Sequence, residues 1–345
     1  MKRRSKTIHF VVPGSIDQAT GGYRYDASIV ACLRAAGHEV IVHELTGKFP
    51  LVDKVAVAAA RATRKTIGSE RAVIDGLALP AFAGLLGRTQ RLTGLVHHPL
   101  WLESGLARRI SDALRRLEGD MLKRLARIIV TSPATRRDVM ALGVAPRSIA
   151  VVEPGTARGA TRHRRDGSVR LLSVGTLTRR KAHDVLLRAL ARQRRTRWRL
   201  LCVGSAARDV SHARRLRALV TGLRLGARVR FAGEVSAERL SRLYTRSDLF
   251  TLPSLHEGYG MAFTEAIACG LPVLGTRAGA LPEVVPRRAG ILVPPGQVQA
   301  LSRALRHLLH SPRRRETLAR GACLHRRRVS GWPEQARRFA AALKP

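Results

Sequence analysis

Acidic residues are scarce in this sequence. Its 345 residues include 24 aspartates and glutamates against 63 lysines and arginines, so the formal net charge is +39 at pH 7. Such a surface attracts phosphorylated small molecules, anionic lipid or nucleic acid through its long-range field, an attraction that salt weakens. Because charge does not determine a fold, the choice among these partners depends on the motifs.

Aromatic residues, cysteines and long apolar runs are also few. Aromatics make up 4% of the chain and are not interleaved with the arginine runs, so a nucleic-acid-binding protein is an alternative that only the charge suggests. The four cysteines include no Cys-x-x-Cys pair, which is typical of reduced cytosolic thiols. No segment reaches the roughly 18 apolar residues that a membrane span needs. We therefore expect a cytoplasmic protein whose membrane contact, if it has any, is peripheral.

Short β-type apolar runs alternate with longer amphipathic runs through both halves of the chain. This alternation is typical of parallel sheets with crossover helices, and the length favours two domains. The predicted fold class is α/β with two doubly wound domains and a cleft between them, where ligands bind at the carboxyl ends of the strands. Predicted strands cover residues 7–12, 39–43, 72–74, 94–97, 128–131, 149–152, 170–174, 199–203, 229–231, 249–252, 273–275 and 291–293.

The domain boundaries are predicted from composition. A first domain covers residues 1–158, and residues 159–168 form a linker because they carry glycine, arginine and no apolar period. The second domain covers residues 169–325. The remaining residues, 326–345, contain a last helix that fits on either domain.

Two carboxylates stand eight positions apart in LHEGYGMAFTEAIACG, residues 255–270. The glycines around Tyr259 allow a tight turn between a strand and a helix, so Glu257 lies in a loop at the carboxyl end of a strand and Glu265 lies inside the helix. The helix start favours a phosphate, and carboxylates accept hydrogen bonds from sugar hydroxyls. This pattern fits a sugar nucleotide. The alternative is structural: Glu265 caps or salt-bridges within its domain, and Glu257 is a solvated loop acid.

The same stretch, with its continuation CGLPVLGTRAGALPEVV at residues 269–285, resembles the retaining glycosyltransferases of family 4, which have the GT-B fold. The family's E-x7-E signature matches Glu257 and Glu265. The resemblance implies that Glu257 contacts the donor sugar near the reaction centre and that Glu265 holds the ribose hydroxyls. It also implies that the sugar and the diphosphate meet the backbone of Gly258, Tyr259, Gly260 and Met261.

A second matching block is LLSVGTLTRRKAHDVLLRAL, residues 171–190. Gly175 ends a strand, and Lys181 stands where the family places a lysine that binds the diphosphate. An ammonium there would neutralise the charge that builds on the leaving group. The family commonly has arginine directly after the glycine, whereas this chain has Thr176. Arg180 is the candidate substitute, and a surface charge is the alternative interpretation of it.

Two stretches of the first domain resemble the family's acceptor side. Gly21 and Gly22 precede a helix and let backbone amides approach a phosphate or an acceptor closely, although such a pair is usually a simple turn. GLVHHPLWLESGL, residues 94–106, places two histidines at a strand end, where the family has an active-site histidine facing the donor sugar. His98 is the first choice and His97 the second. No metal site is expected, because adjacent side chains on an extended chain point to opposite faces and the family needs no divalent metal.

Softer matches complete the resemblance. Residues 231–254 resemble the family's base-binding region, where the backbone near Glu234 and Val235 would meet the nucleobase. Trp332 resembles the start of the family's final helix, which crosses back onto the first domain.

The predicted function follows from these blocks. It is a retaining glycosyltransferase of glycan biosynthesis that moves a hexose from a nucleoside diphosphate sugar to a hydroxyl of a glycan, lipid or small molecule, with no cofactor. The donor base, the sugar, the acceptor and the oligomeric state stay open. An anionic membrane surface is a candidate partner, as in relatives that glycosylate lipids. A catalytically silent relative is a further alternative, for which Thr176 is the sequence hint.

Overall fold

The computed structural model describes residues 7–86, 91–103, 105–157, 159 and 167–344. The chain divides into two compact units, the first made of residues 1–155 and 331–345 and the second of residues 156–330. The last helix therefore belongs to the first unit. Most of the predicted linker, residues 160–166, lies outside the described residues.

The first unit is built on a parallel sheet of six strands in the order β2-β1-β3-β4-β5-β6. β1 is buried along its whole length, as expected of a central parallel strand covered by helices on both faces. The order reverses between β1 and β3, which makes that edge the topological switch point of the sheet. The strands are β1 (Ile8–Pro13), β2 (Val40–Leu45), β3 (Arg71–Asp75), β4 (Leu92–Val96), β5 (Arg127–Val130) and β6 (Ile149–Val151).

Within the part of the chain that the structure describes, four α-helices connect strands of this sheet. Side chains at three-to-four spacing in the first of them, including Tyr25, Ile29 and Leu33, are buried against the sheet. Two of the helices begin at side-chain caps: the Asp53 carboxylate accepts from the amide of Ala56, and the Ser132 hydroxyl accepts from the amide of Thr135. The helices are α1 (Gly21–Ala35), α2 (Lys54–Ile67), α3 (Arg108–Arg124) and α4 (Pro133–Met140).

The second unit repeats this design with a parallel sheet in the order β12-β11-β10-β7-β8-β9. Its switch point lies between β7 and β10. The strands are β7 (Val169–Val174), β8 (Trp198–Val203), β9 (Val229–Phe231), β10 (Leu249–Thr251), β11 (Val273–Thr276) and β12 (Gly290–Val293). The helices are α5 (His183–Ala191), α6 (Val210–Gly222), α7 (Ala237–Arg246), α8 (Met261–Ala268), α9 (Leu281–Val284), α10 (Val298–His310) and α11 (Pro312–His325).

The last helix, α12 (Trp332–Ala342), packs within the first unit through aromatic side chains. The ring of Phe339 stacks on Phe10 of β1 with centroids 6.3 Å apart, and the ring of Trp332 meets Tyr25 edge-on at 5.7 Å. Gly155 leaves room for the start of this helix, because a Cβ there would lie 2.4 Å from the amide nitrogen of Trp332.

Each of the twelve predicted strands overlaps an observed strand, and the α/β class with two doubly wound sheets is confirmed. β4 ends at Val96, one residue before its predicted end at residue 97. Among the residues that the structure describes, no helix is long and apolar enough to cross a membrane.

Candidate functional site

The predicted donor residues of the second unit meet at its topological switch point. One segment follows β7 and runs from Gly175 to Lys181, and the other follows β10 and runs through residues 252–260. Connections from β7 and β10 leave the sheet towards opposite sides, so the carboxyl ends of these two strands open a crevice.

Glu257 is the centre of this site, and it is only 5% exposed. Its carboxylate accepts hydrogen bonds from Lys181 Nζ at 2.6 Å and from Ser254 Oγ at 2.6 Å. Arg180 Nη1 lies 3.7 Å from its other oxygen. Burial alone would raise the pKa of Glu257, but the charges of Lys181 and Arg180 and these hydrogen bonds hold it below its ordinary value. The structure thus excludes the alternative in which Glu257 is a solvated loop acid.

The loop that carries Glu257 is fixed from behind by the turn after β11. The backbone carbonyl of Glu257 accepts from the amide of Ala280 at 2.9 Å, and Thr276 Oγ1 donates to the Ser254 carbonyl at 2.5 Å. Gly279 has a φ of +54°, and a Cβ at that position would lie 2.1 Å from the Glu257 carbonyl oxygen. Only glycine fits both the backbone conformation and the close approach.

Lys181 ends a short 3₁₀ turn, Arg179–Lys181. Hydrogen bonds join this turn to the loop that carries Glu257. The Arg180 carbonyl accepts from the amide of Leu255 at 2.7 Å, and Arg180 Nη1 donates to the carbonyl of His256 at 3.1 Å. Burial, and next the charge of Arg180, lower the pKa of His256 to about 4, so this histidine adds no positive charge at neutral pH.

Glu265 lies in α8, which begins immediately after Gly260, a residue with a φ of +101°. Its carboxylate accepts a hydrogen bond from Tyr244 Oη at 2.8 Å, and Tyr244 is itself buried. The two acids therefore stand on either side of a helix N-terminus, which carries backbone N–H donors and the positive end of the helix dipole.

The other predicted donor residues lie along the same edge of the sheet. Gly175 and Thr176 directly follow β7, and Glu234 and Val235 follow β9. The β9 segment is tied to its neighbour because the carbonyl of Gly233 accepts from the amide of Gly204 at 2.8 Å. Their contacts with a nucleotide stay predictions.

A second charged cluster stands at the switch point of the first unit. His97 follows β4, Asp75 is the last residue of β3, and Asp26 lies in α1. His97 Nε2 lies 2.9 Å from Asp26 Oδ1 and 3.3 Å from Asp75 Oδ2. Both carboxylates are buried. Gly22 packs against the ring, since a Cβ there would lie 3.2 Å from His97 Cδ2.

This cluster contains atoms of the type that bind metals, and one from each of its three residues lies within 4.8 Å of the others. Nε2 is hydrogen-bonded to Asp26 and lies within ion-pair distance of Asp75, so this ring nitrogen already has carboxylate partners. The prediction that the protein needs no metal stays a prediction.

His98, the first choice from sequence, is not part of the cluster of His97, Asp26 and Asp75. Its Nε2 is 3.7 Å from Glu103 Oε2. Sequence analysis also missed Glu118 of α3, a buried acid that accepts from the amide of Leu100 at 3.0 Å and so anchors the loop after the histidines. Its pKa is raised to about 8, chiefly by burial. An acid in the apolar stripe of a helix was the available signal for it.

Comparison with known proteins gives a consistent result. Residues 161–323 match a family model described as "Glycosyl transferases group 1". A D-inositol 3-phosphate glycosyltransferase of Streptosporangium roseum is 31% identical over 235 residues, which are 62% of this chain and 54% of that protein. The chain therefore spans about half the length of this curated relative.

Two solved structures resemble the whole chain. Sucrose-phosphate synthase from Thermosynechococcus elongatus has a TM-score of 0.82 at 22% identity, covering 97% of this chain and 98% of that one. Anabaena HepE in complex with UDP-glucose has a TM-score of 0.79 at 18% identity, covering 98% of this chain and 99% of that one. At these identities the likeness shows the fold, and the predicted GT-B fold is confirmed.

Proposed function

Because residues 161–323 match the model of the glycosyl transferases group 1 family, we propose that this protein is a retaining glycosyltransferase that moves a hexose from a nucleoside diphosphate sugar to an acceptor hydroxyl. The observation that carries the proposal is the buried contact of 2.6 Å between Lys181 and Glu257 at the switch point of the second unit. The curated relative is named a glycosyltransferase, and the Anabaena neighbour holds UDP-glucose.

The site suits the parts of such a donor. The N-terminus of α8 offers its dipole to the diphosphate, and Lys181 supplies a cation for the charge on the leaving group. The Glu257 carboxylate accepts hydrogen bonds from hydroxyls of the transferred sugar. Glu265, oriented by Tyr244, accepts from the ribose hydroxyls.

The reaction follows from these roles. The bond between the anomeric carbon and the diphosphate oxygen breaks, and the acceptor oxygen bonds to the same face of that carbon, so the configuration is retained. The acceptor hydroxyl gives its proton to the leaving diphosphate, and the products are a glycoside and a nucleoside diphosphate. Lys181 supplies the positive charge that stabilises the leaving group, so we propose that transfer proceeds without a divalent metal.

A thermal-shift screen against UDP-, GDP- and ADP-sugars tests donor binding before any acceptor is known. The sugar nucleotides that carry one of these three bases are expected to raise the melting temperature. A ligand at 100 times its Kd adds about 2.7 kcal/mol to the free energy of unfolding. Glu265→Gln should weaken that shift, since the ribose loses a charged acceptor. No shift with any sugar nucleotide, together with stabilisation by nucleic acid, would contradict the proposal in favour of a nucleic-acid-binding protein.

We also propose that the first unit rests on anionic lipid through α3. Six basic side chains of this helix are exposed, whereas Leu114, Met121 and Leu122 face the core. The exposed side of α3 carries these cations together with two exposed acids, Asp112 and Asp120, so it keeps a positive surplus. Each basic residue near an anionic surface contributes about 1 kcal/mol. The exposed basic residues are Arg108, Arg109, Arg115, Arg116, Lys123 and Arg124.

Sedimentation with lipid vesicles tests this surface. The protein is expected to pellet with vesicles that contain phosphatidylglycerol and to stay in the supernatant with pure phosphatidylcholine. Arg115→Glu with Arg116→Glu should abolish pelleting, whereas Arg303→Glu with Arg306→Glu makes the same charge change on exposed residues of α10 and should not. Equal loss of binding in both variants would show a general charge effect and contradict a docking face on α3.

A further inference from the structure

We propose that His97 is a permanently protonated hydrogen-bond donor, and that Asp26 and Asp75 are positioning residues that keep it protonated and aim Nδ1–H at a ligand oxygen that carries or gains negative charge. This inference rests on the proposed glycosyl transfer for its catalytic meaning. Its structural content concerns the first unit alone.

The orientation of the ring follows from its contacts. Nε2 is turned to the two buried carboxylates, at 2.9 and 3.3 Å. The Cδ2 edge packs on Gly22, and the ring of Tyr25 meets the imidazole edge-on with centroids 5.1 Å apart. The side chain is 19% exposed, and the edge that contains Nδ1 is turned away from the two carboxylates. No described residue forms a hydrogen bond with Nδ1.

The charge of the ring follows from its neighbours. The titratable groups that act on His97 from the packed elements described are Asp26 and Tyr25 of α1 and Asp75 of β3. Burial disfavours the imidazolium, but the charges and hydrogen bonds of the two aspartates outweigh it and raise the pKa of His97 to about 10. Burial raises the pKa of Asp26 to about 7. The charge and hydrogen bond of His97 act in the opposite direction, and the nearby Asp75 adds to the rise.

Topology explains why a donor would be useful here. The cluster lies between the carboxyl ends of β1 and β3, where the strand order of the first unit reverses and where doubly wound sheets bind ligands. One carboxylate is enough to orient an imidazole as a general base, as in hydrolase triads. Two carboxylates beside Nε2 stabilise the positive charge of the imidazolium more than one does, so Nδ1 keeps its proton to a higher pH. A histidine in this state cannot accept the proton of an acceptor hydroxyl, which agrees with the proposed transfer of that proton to the leaving diphosphate.

Nitrogen NMR of the full chain labelled with ¹⁵N-histidine tests the charge without any substrate. His97→Gln identifies the signals of His97. Both ring nitrogens of His97 are expected to stay protonated from about pH 6 to about pH 9, and Asp26→Asn or Asp75→Asn should lower the pKa of the ring by about 1–3 units. Asp120→Asn, the same change at an exposed acid of α3, should leave it unchanged. A ring that titrates near its ordinary value, or signals that move on addition of Zn²⁺, would overturn the proposal.

The pH dependence of kcat then distinguishes a positioning role of Asp26 from a purely structural one. If the protein transfers hexose, wild-type kcat should show no titration of His97 across neutral pH, whereas Asp26→Asn should lose activity as pH rises through the lowered pKa of the ring. A variant that folds but is slow at every pH to the same extent would contradict a positioning role. Because the NMR result needs no activity, failure of the proposed transfer and failure of this inference are distinguishable.

Discussion

Replacing Glu257 by Gln is expected to slow nucleoside diphosphate release from the correct sugar nucleotide by about 10²–10³-fold, the range seen when one preorganised electrostatic group is removed. The amide keeps the shape and the contact with Ser254 but removes the charge that holds Lys181 at 2.6 Å. It also presents a weaker acceptor to the sugar hydroxyls. Release of nucleoside diphosphate in steady state, with and without acceptor, measures the effect.

The matched control is Glu238→Gln in α7. That carboxylate pairs with Arg242 on the helix surface, and its side chain is 79% exposed. Its loss should leave the rate unchanged and alter the free energy of unfolding by less than about 1 kcal/mol. Full activity of Glu257→Gln would remove Glu257 from the reaction centre and with it the main support for the proposed site.

Replacing Lys181 by Met is expected to lower the free energy of unfolding by about 3 kcal/mol or more at neutral pH, because a buried carboxylate loses its main partner. The folded-state pKa of Glu257 lies below its ordinary value, so the pair stabilises the wild type above that ordinary value and loses this effect as pH falls through the folded-state pKa. The difference between variant and wild type should therefore shrink in acid. Denaturant unfolding at several pH values measures it.

Two further variants make this result specific. Lys181→Met combined with Glu257→Gln should be more stable than Lys181→Met alone, because the double variant leaves no buried charge without its partner. Arg179→Met removes an exposed cation from the same 3₁₀ turn and should change stability little. Equal stability of the single and double variants would show that Lys181 does not compensate Glu257.

The strands could be predicted from sequence because central parallel strands are short runs of β-branched and other apolar residues. β7, Val169–Val174, is a central strand of this kind, and its predicted end at residue 174 is the observed one. The prediction at β4 ran to residue 97, but the strand ends at Val96. Both His97 and His98 therefore lie in the loop after β4, where strand alternation does not decide which of them faces the carboxylates.

The site itself could be predicted only in part. Family resemblance indicated Lys181 and Glu257 separately, but their contact joins residues 76 positions apart and depends on two strands lying side by side. Asp26 and Asp75 gave no signal at all. One follows a glycine pair inside a helix and the other ends a strand, and only the reversal of strand order brings them to the same imidazole.

The tight turn at Gly279 has a consequence for how this protein can change through descent. Every missense mutation of its codon adds a Cβ, and that atom would lie 2.1 Å from the carbonyl oxygen of Glu257. The contact is with the backbone, so the loop that carries Glu257 keeps its course only while glycine stands at position 279. Gly296 also has positive φ, +72°, but its nearest neighbour would lie 3.9 Å away, at Leu255. At position 296 an asparagine can therefore replace glycine, so this position is free to change.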